Sequence, residues 1–316
     1  MSTNPDLLTL DAVKAAADRI RPYVHETPIV PLMPTGIGLK AESLHPIGAF
    51  KIRGAFNAIL SLSEAERRRG VVAHSSGNHA QGVAYAAKVL GIPSVIVMPT
   101  NVSPVKLAAT KALGAEVHLV PASERAAKFE SLARERGLIQ VPPFDSLAIM
   151  AGTGTIGLEI LKQRPDVKVV LAPVSGGGLL GGISAAIAQA APDVQVIGVE
   201  PELANDAAMS FREGHIVGLS AEETARTIAD GLRVQQLGKF PFANIRTYTR
   251  EIVTISEDEI KAAMRKIAAE ARLVAEPSGA VALAGALKLG VEPGTSVAVL
   301  SGGNVELGLY ASILAS

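Results

Sequence analysis

The sequence predicts an α/β protein made of two interleaved open sheets of parallel or mixed strands, and three observations carry the prediction. Short apolar runs alternate with amphipathic helical stretches, the pattern left by parallel strands joined through right-handed crossovers. Polar or glycine-rich turns close several of the runs, as at Ser75-Ser76-Gly77-Asn78, Ser175-Gly176-Gly177-Gly178 and Ser301-Gly302-Gly303-Asn304. No internal repeat, low-complexity tract or obvious linker interrupts the alternation, so a smaller unit over residues 65–146 reads as inserted into a larger one built from residues 1–64 and 147–316.

In chain order, the N-terminal stretch to Tyr23 carries Asp6, Asp11, Lys14, Asp18 and Arg19 among its apolar positions and reads as a surface helix, not a secretion signal. Lys51 falls where a polar segment, 40–46, gives way to the helical run 55–60. Val71 to His74 is a short buried strand, and the helix after its turn stops at Gly91. Ser94 to Met98 is another strand; Ser103 caps a helix with Pro104 at its first position, closed by Gly114. A strand over 117–120, a helix over 123–136 and a strand over 138–141 follow. The alternation resumes with a strand over 167–173, a helix over 179–190 and a strand over 194–199. Ser256-Glu257-Asp258-Glu259 is a capping box opening a helix to about Ala271, and Ser296 to Leu300 is the last strand.

Composition narrows the function. The 316 residues hold 30 Lys plus Arg against 30 Asp plus Glu, which gives no electrostatic case for nucleic acid or an anionic membrane and leaves a small-molecule ligand. The absence of cysteine excludes disulfides, thiolate zinc sites and a cysteine nucleophile together. A charge-free segment, Val169 to Ala191, is long enough to span a bilayer, but Pro173 and its glycines make it a strand, a loop and a helix. A cytoplasmic protein is the expectation.

Lys51 lies in Gly48-Ala49-Phe50-Lys51-Ile52-Arg53-Gly54, beside an aromatic and between glycines, where partial desolvation would lower its pKa and make the amine a nucleophile toward a carbonyl. A solvated lysine at a helix start is the plain alternative. The turn at 175–178 leads straight into a helix, so its backbone N–H groups can converge on an anion, although a tight structural turn would look the same. No Gly-Lys-Ser/Thr follows, which excludes a P-loop, and no acidic ribose partner is evident for a dinucleotide. An activated amine and a phosphate cradle together suit a ligand with an aldehyde and a phosphate, and pyridoxal phosphate has both.

At this point the chain resembles the fold type II pyridoxal-phosphate enzymes, a tryptophan synthase β-like fold, in the branch of threonine and serine dehydratases and serine racemase. The resemblance rests on residues 48–54, Ser-Ser-Gly-Asn-His-Ala-Gln-Gly at 75–82, Ser-Gly-Gly-Gly-Leu at 175–179, Gly-Val-Glu-Pro at 198–201 and Ser-Gly-Gly-Asn at 301–304, in the family's order. It implies that Lys51 joins the cofactor aldehyde and moves the α-proton, that Phe50 packs by the ring and that Asn78 bonds the ring hydroxyl. Ser175, Gly176, Gly177, Gly178 and Leu179 would hold the phosphate, and Ser301 would face the pyridine nitrogen. A hydroxyl cannot keep that nitrogen protonated as a carboxylate does, which favours prompt loss of a β-substituent over transamination. The turn of Ser75, Ser76, Asn78 and His79 would receive the substrate carboxylate; a packed helix-start residue is the plainer reading of His79. Glycine is frequent in the family where Ser175 stands, and glutamine where His45 stands.

The resemblance further sets expectations for reaction type. Related dehydratases carry alanine at Ser76, whereas serine racemase has a serine that serves as acid/base on the face opposite the lysine; a backbone-bonded turn serine is the alternative. Arg125 aligns with an arginine near the substrate carboxylate and would suit 3-hydroxyaspartate. Glu200, the Ala204 carbonyl and Asp206 resemble the magnesium or calcium site of serine racemase. The leading expectation is a lyase releasing 2-oxo acid and ammonia from L-threonine or L-serine, or a racemase. A β-replacement synthase of the cysteine synthase type and a non-catalytic cofactor-binding protein are the competitors. A homodimer is expected, with no regulatory domain after the last motif.

Overall fold

The computed structural model describes residues 6–75 and 77–316. Among them, ten strands form two sheets: β1 (Ile29–Pro31), β2 (Gly38–Ala41), β3 (Val71–His74), β4 (Ser94–Pro99), β5 (Glu116–Val120), β6 (Ile139–Gln140), β7 (Val169–Pro173), β8 (Gln195–Pro201), β9 (Glu251–Ile255) and β10 (Ser296–Leu300). The six-stranded sheet runs β1-β2-β10-β7-β8-β9 and the four-stranded sheet β5-β4-β3-β6. Only β1 and β2 pair antiparallel; every other named pairing is parallel.

Parallel strands need helices on both faces, and the burial follows. In β10, Ala298 and Leu300 face a core shared with Val281 and Leu283 of the helix Pro277–Leu289. Its alternate residues, Val297 and Val299, face Leu180, Ile183 and Ile187 of the helix Gly178–Ala190. In the smaller sheet, Val71, Ala73, Ile96 and Met98 pack on the helix Asn78–Leu90, while Val72, Val95 and Val97 meet Phe129 and Leu132 of the helix Arg125–Arg136. The charge-free segment resolves into β7 and a helix, and no helix among the described residues is long and apolar enough to cross a membrane.

Several boundaries differ from expectation for local reasons. Ser103 makes no side-chain cap bond, and the helix Pro104–Ala112 stops before Gly114. Residues 122–124 form a 3-10 turn, so the next helix starts at Arg125. The capping box at Ser256 is present, but the helix Glu257–Lys266 widens into a π-helical turn, Ile267–Ala271, ended by Arg272 in the left-handed region at φ 57°. Strand β2 and the long helix Leu147–Gln163 were not anticipated, because β2 is four residues long and carries a buried lysine.

Candidate active site

The loops after β3, β7, β8 and β10 leave the carboxyl ends of parallel strands, the edge at which open α/β sheets bind ligands. Two backbone links tie the lysine segment to that edge: Phe50 N–H donates to the Ser301 carbonyl at 3.0 Å, and Ala49 bridges Gly302. Lys51 is thereby the first residue of the helix Lys51–Leu60. Its Nζ donates to the Pro143 carbonyl at 2.8 Å and lies 5.1 Å from the centre of the Phe50 ring. Burial of the amine lowers its pKa to about 8, so near neutrality an appreciable fraction is unprotonated.

Phe144, the next residue after Pro143, lies against the 175–178 turn. A Cβ on Gly176 would stand 2.5 Å from its ring, and Gly177 has φ +89°, so glycine is required at both places. Gly177 is the N-cap of the helix Gly178–Ala190 and offers no side-chain cap; the helix start is buried, with its first N–H groups lacking intrahelical partners. Ser175 Oγ accepts the Val234 N–H at 3.1 Å and keeps its own hydrogen to donate. Leu179 packs its side chain into the core, which leaves only its N–H for a ligand. Lys51 and this uncapped, positively polarised cradle therefore flank one segment, Pro143-Phe144.

Asn78 opens the helix after β3. Its Nδ2 donates to Glu276 Oε1 at 2.6 Å, and its Oδ1 accepts from Asn304 Nδ2 at 2.8 Å. Ser301 is 4 % exposed, with Oγ 3.4 Å from the Ser278 carbonyl. Ser75 Oγ accepts the Gly77 N–H at 3.2 Å; Ser76 lies outside the described residues. His79 is buried and its Nε2–H meets the Val141 carbonyl at 3.0 Å. Burial, with the Lys51 charge, pushes its pKa down to about 3, so it sits as a neutral packed histidine. Arg125 is half-buried, and its charge, after burial itself, lowers the pKa of His74, the residue before Ser75.

Sequence reading missed Glu276 and the Pro143-Phe144 segment, and it marked Asn304 within the last motif without its contact to Asn78. Glu276 carried a weak signal, an acid just before a proline that starts a helix, which reads as a cap; the structure shows no capping bond from it.

The desolvated amine and the glycine-lined helix start fit a phosphorylated aldehyde. A family model described as pyridoxal-phosphate dependent enzyme matches residues 20–302. The chain belongs to this family. Among curated relatives it is 37% identical to a serine racemase of Schizosaccharomyces pombe, over 99% of both chains. It is 39% identical to an L-threo-3-hydroxyaspartate ammonia-lyase of Saccharomyces cerevisiae, over 97% of this chain and 96% of that one. It is also 41% identical to an L-threonine ammonia-lyase of Thermotoga maritima, over 98% of this chain and 78% of the relative. The solved structure of maize serine racemase superposes with a TM-score of 0.92 at 35% identity, covering 97% of each chain.

Like other members of the family, then, this is a pyridoxal-phosphate-dependent enzyme. Away from the lysine, the loop after β8 holds a second polar cluster. Glu200 Oε1 and Oε2 accept the N–H groups of Ala207 and Ala208 at 3.1 and 2.8 Å. Asp206 is fully buried with neither carboxylate oxygen hydrogen-bonded. Burial and mutual repulsion raise the Glu200 pKa, and burial raises that of Asp206 to about 7. Two orphaned buried oxygens beside another carboxylate are the donor set a hard cation takes. Among the described residues no group of three or more acidic, histidine or cysteine side chains gathers as a metal cluster, so Ala204 would have to contribute its carbonyl.

Proposed function

We propose that the enzyme removes water from a β-hydroxy amino acid, L-serine or L-threonine, to give a 2-oxo acid and ammonia. The carrying observation is Lys51 itself: a desolvated amine with a pKa of about 8, fixed at a helix start between Ser301 and the segment that covers the glycine cradle. Lys51 joins the cofactor and carries the substrate α-proton, for which an amine that is partly neutral at working pH is suited. Gly176, Gly177, Gly178 and Leu179 hold the phosphate on backbone N–H groups, with the Ser175 hydroxyl beside them. Bound there, pyridoxal phosphate supplies the electron sink that acidifies the α-hydrogen. Phe50 packs by the ring, Asn78 donates to its hydroxyl oxygen, and Ser301 faces its nitrogen without protonating it. The turn from Ser75 to His79 receives the substrate carboxylate at the start of the helix Asn78–Leu90, whose N-cap Gly77 provides no capping side chain.

A second reading, a racemase or an enzyme for 3-hydroxyaspartate, is favoured by the position of Arg125. Its charge reaches His74 at the entrance of the carboxylate turn, where it would pair with a second substrate carboxylate. Ser76 would then serve as the acid/base opposite Lys51. Glu200, the Ala204 carbonyl and Asp206 would hold Mg²⁺ or Ca²⁺ remote from the substrate, supported by the orphaned Asp206 oxygens. A cytoplasmic homodimer divided at residues 65–146 completes the reading. Pairing of two copies is supported by the charge-free helix Leu307–Ala315, on which Leu307 is 83% exposed.

The test incubates purified protein with L-serine, L-threonine and 3-hydroxyaspartate while following 2-oxo acid, ammonia and chirality together. Release of 2-oxo acid from serine or threonine, lost in Lys51→Ala, is expected. Inversion without 2-oxo acid would replace the lyase by the racemase, and neither product from any substrate would sink both.

A further inference from the structure

Three side-chain contacts join the helices that follow β3 and β4 to loops and turns outside the smaller sheet. Asn78 is held between Glu276 and Asn304, and Lys106 of the helix Pro104–Ala112 pairs with Asp230 of the 3-10 turn Asp230–Leu232. That turn docks beside Glu276: Gly231 N–H donates to Ser278 Oγ at 2.9 Å, two residues along the chain from the carboxylate. The backbone around Glu276 is unusual. It follows the π-helical turn and left-handed Arg272, and its N–H donates to the Gly302 carbonyl at 3.1 Å. Gly302 has no room for a Cβ, because Glu276 Oε1 occupies that space. An acid at the N-cap of a 13-residue helix ordinarily caps it; this one makes no capping bond and is aimed at Asn78.

We propose that Glu276 is a positioning residue that sets how strongly Asn78 donates to the cofactor ring, and that the Lys106–Asp230 pair, which joins the helix Pro104–Ala112 to the turn Asp230–Leu232, tunes the charge Glu276 carries. The inference rests on the proposed placement of Asn78 at the ring oxygen.

The electrostatics follow from the groups that face Glu276. Burial and the Asp230 charge raise its pKa to about 7, while the Asn78 hydrogen bond and the Lys106 charge lower it. The Lys106–Asp230 pair is partly exposed, with side chains 23% and 39% accessible, so it adds little to stability directly. Its effect falls on the buried carboxylate, which is poorly screened. With Lys106 seated on Asp230, the repulsion that Glu276 feels is offset and its charged form is favoured. An ionised Glu276 is the stronger acceptor for one Asn78 N–H, and so fixes the amide with its other hydrogen toward the ring.

The test uses Lys106→Gln and Asp230→Asn, near-surface changes that spare the core, beside Glu276→Gln. In cofactor-free protein the raised Glu276 pKa costs stability as pH rises from its unfolded value toward about 7, since the unfolded chain sheds its proton first. Thermal melts across pH 4.5 to 8 should place the upper end of this loss about 0.3–1 unit higher in Lys106→Gln and lower in Asp230→Asn. Glu276→Gln should remove that component of the loss. In holoenzyme, the cofactor absorbance should change with the same midpoints. Shifts of the same sign in the two near-surface variants, or none, overturn the coupling, as does a component that persists in Glu276→Gln. If the melts shift as stated but the cofactor spectrum does not follow, and Asn78→Ala leaves the spectrum unchanged, the placement of Asn78 fails while the charge coupling stands.

Discussion

At the scale of single residues, the decisive physical fact is the cost of keeping a charged amine at position 51. Desolvation moves its pKa from 10.5 to about 8, so below that value the folded protein must bury an ammonium that the unfolded chain solvates freely. Between about 8 and 10.5 the unfolded state binds the extra proton, and stability therefore rises with pH across that window. In cofactor-free protein the rise should amount to at most about 3 kcal/mol and should vanish in Lys51→Met, measured as the difference between urea titrations at pH 7.5 and 10. Equal slopes in both proteins would show the amine to be solvated. The sequence made this legible only in part. Phe50 and the flanking glycines marked Lys51, but the Pro143 carbonyl that orients it is 92 positions away and carries no side-chain signature.

Among the elements, the segment after β8 shows how a motif becomes legible through its spacing while its energetics do not. Glu200 lies near the end of a strand, Ala204 closes a 3-10 turn and Asp206 starts a helix, so the three proposed ligands sit on one short stretch of chain. The spacing was readable for that reason, whereas the absence of any hydrogen bond to Asp206 emerged only from packing. Asp206, buried beside the buried Glu200 with neither of its oxygens hydrogen-bonded, costs several kcal/mol unless a cation or protons neutralise the pair. Chelation at pH 8 should lower the thermal midpoint by several degrees, with Mg²⁺ or Ca²⁺ restoring it, and Asp206→Asn should blunt the response. An unchanged midpoint on chelation would remove the cation. By contrast, the helix Leu147–Gln163 was illegible because it is buried along most of its length and lacks an amphipathic face.

At the scale of the molecule, the question is what fixes the first turn of the lysine-bearing helix, whose Ile52, Phe56 and Ile59 pack in an apolar cluster, and an ion cluster adds to that packing. Arg53, two residues after Lys51, is 1% exposed and donates to Glu42, at the end of β2, through Nε at 2.7 Å and Nη2 at 2.9 Å. Its Nη1 reaches Glu159 of the helix Leu147–Gln163 at 2.6 Å, and Glu159 also binds the fully buried Lys40 of β2 at 2.5 Å. Burial would push the Glu42 carboxyl up, but the Arg53 charge and the His45 hydrogen bond outweigh it and hold the group well below the usual carboxylate range. The cluster thus joins β2, the strand next to the edge of the larger sheet, to the Lys51 helix and the long helix Leu147–Gln163. Its net worth over an apolar replacement is modest, because four charges had to leave water; removing one member is another matter. Arg53→Met should cost about 3–5 kcal/mol in urea unfolding, since Glu42 would stay buried without its cation. The folded fraction should also lose turnover beyond its loss of stability, because the first turn of the Lys51 helix is no longer anchored. Glu42→Gln keeps a hydrogen-bond acceptor for Arg53 and should cost less on both counts. Equal, small losses in the two variants would mean that packing alone, and not the ion cluster, fixes where Lys51 stands.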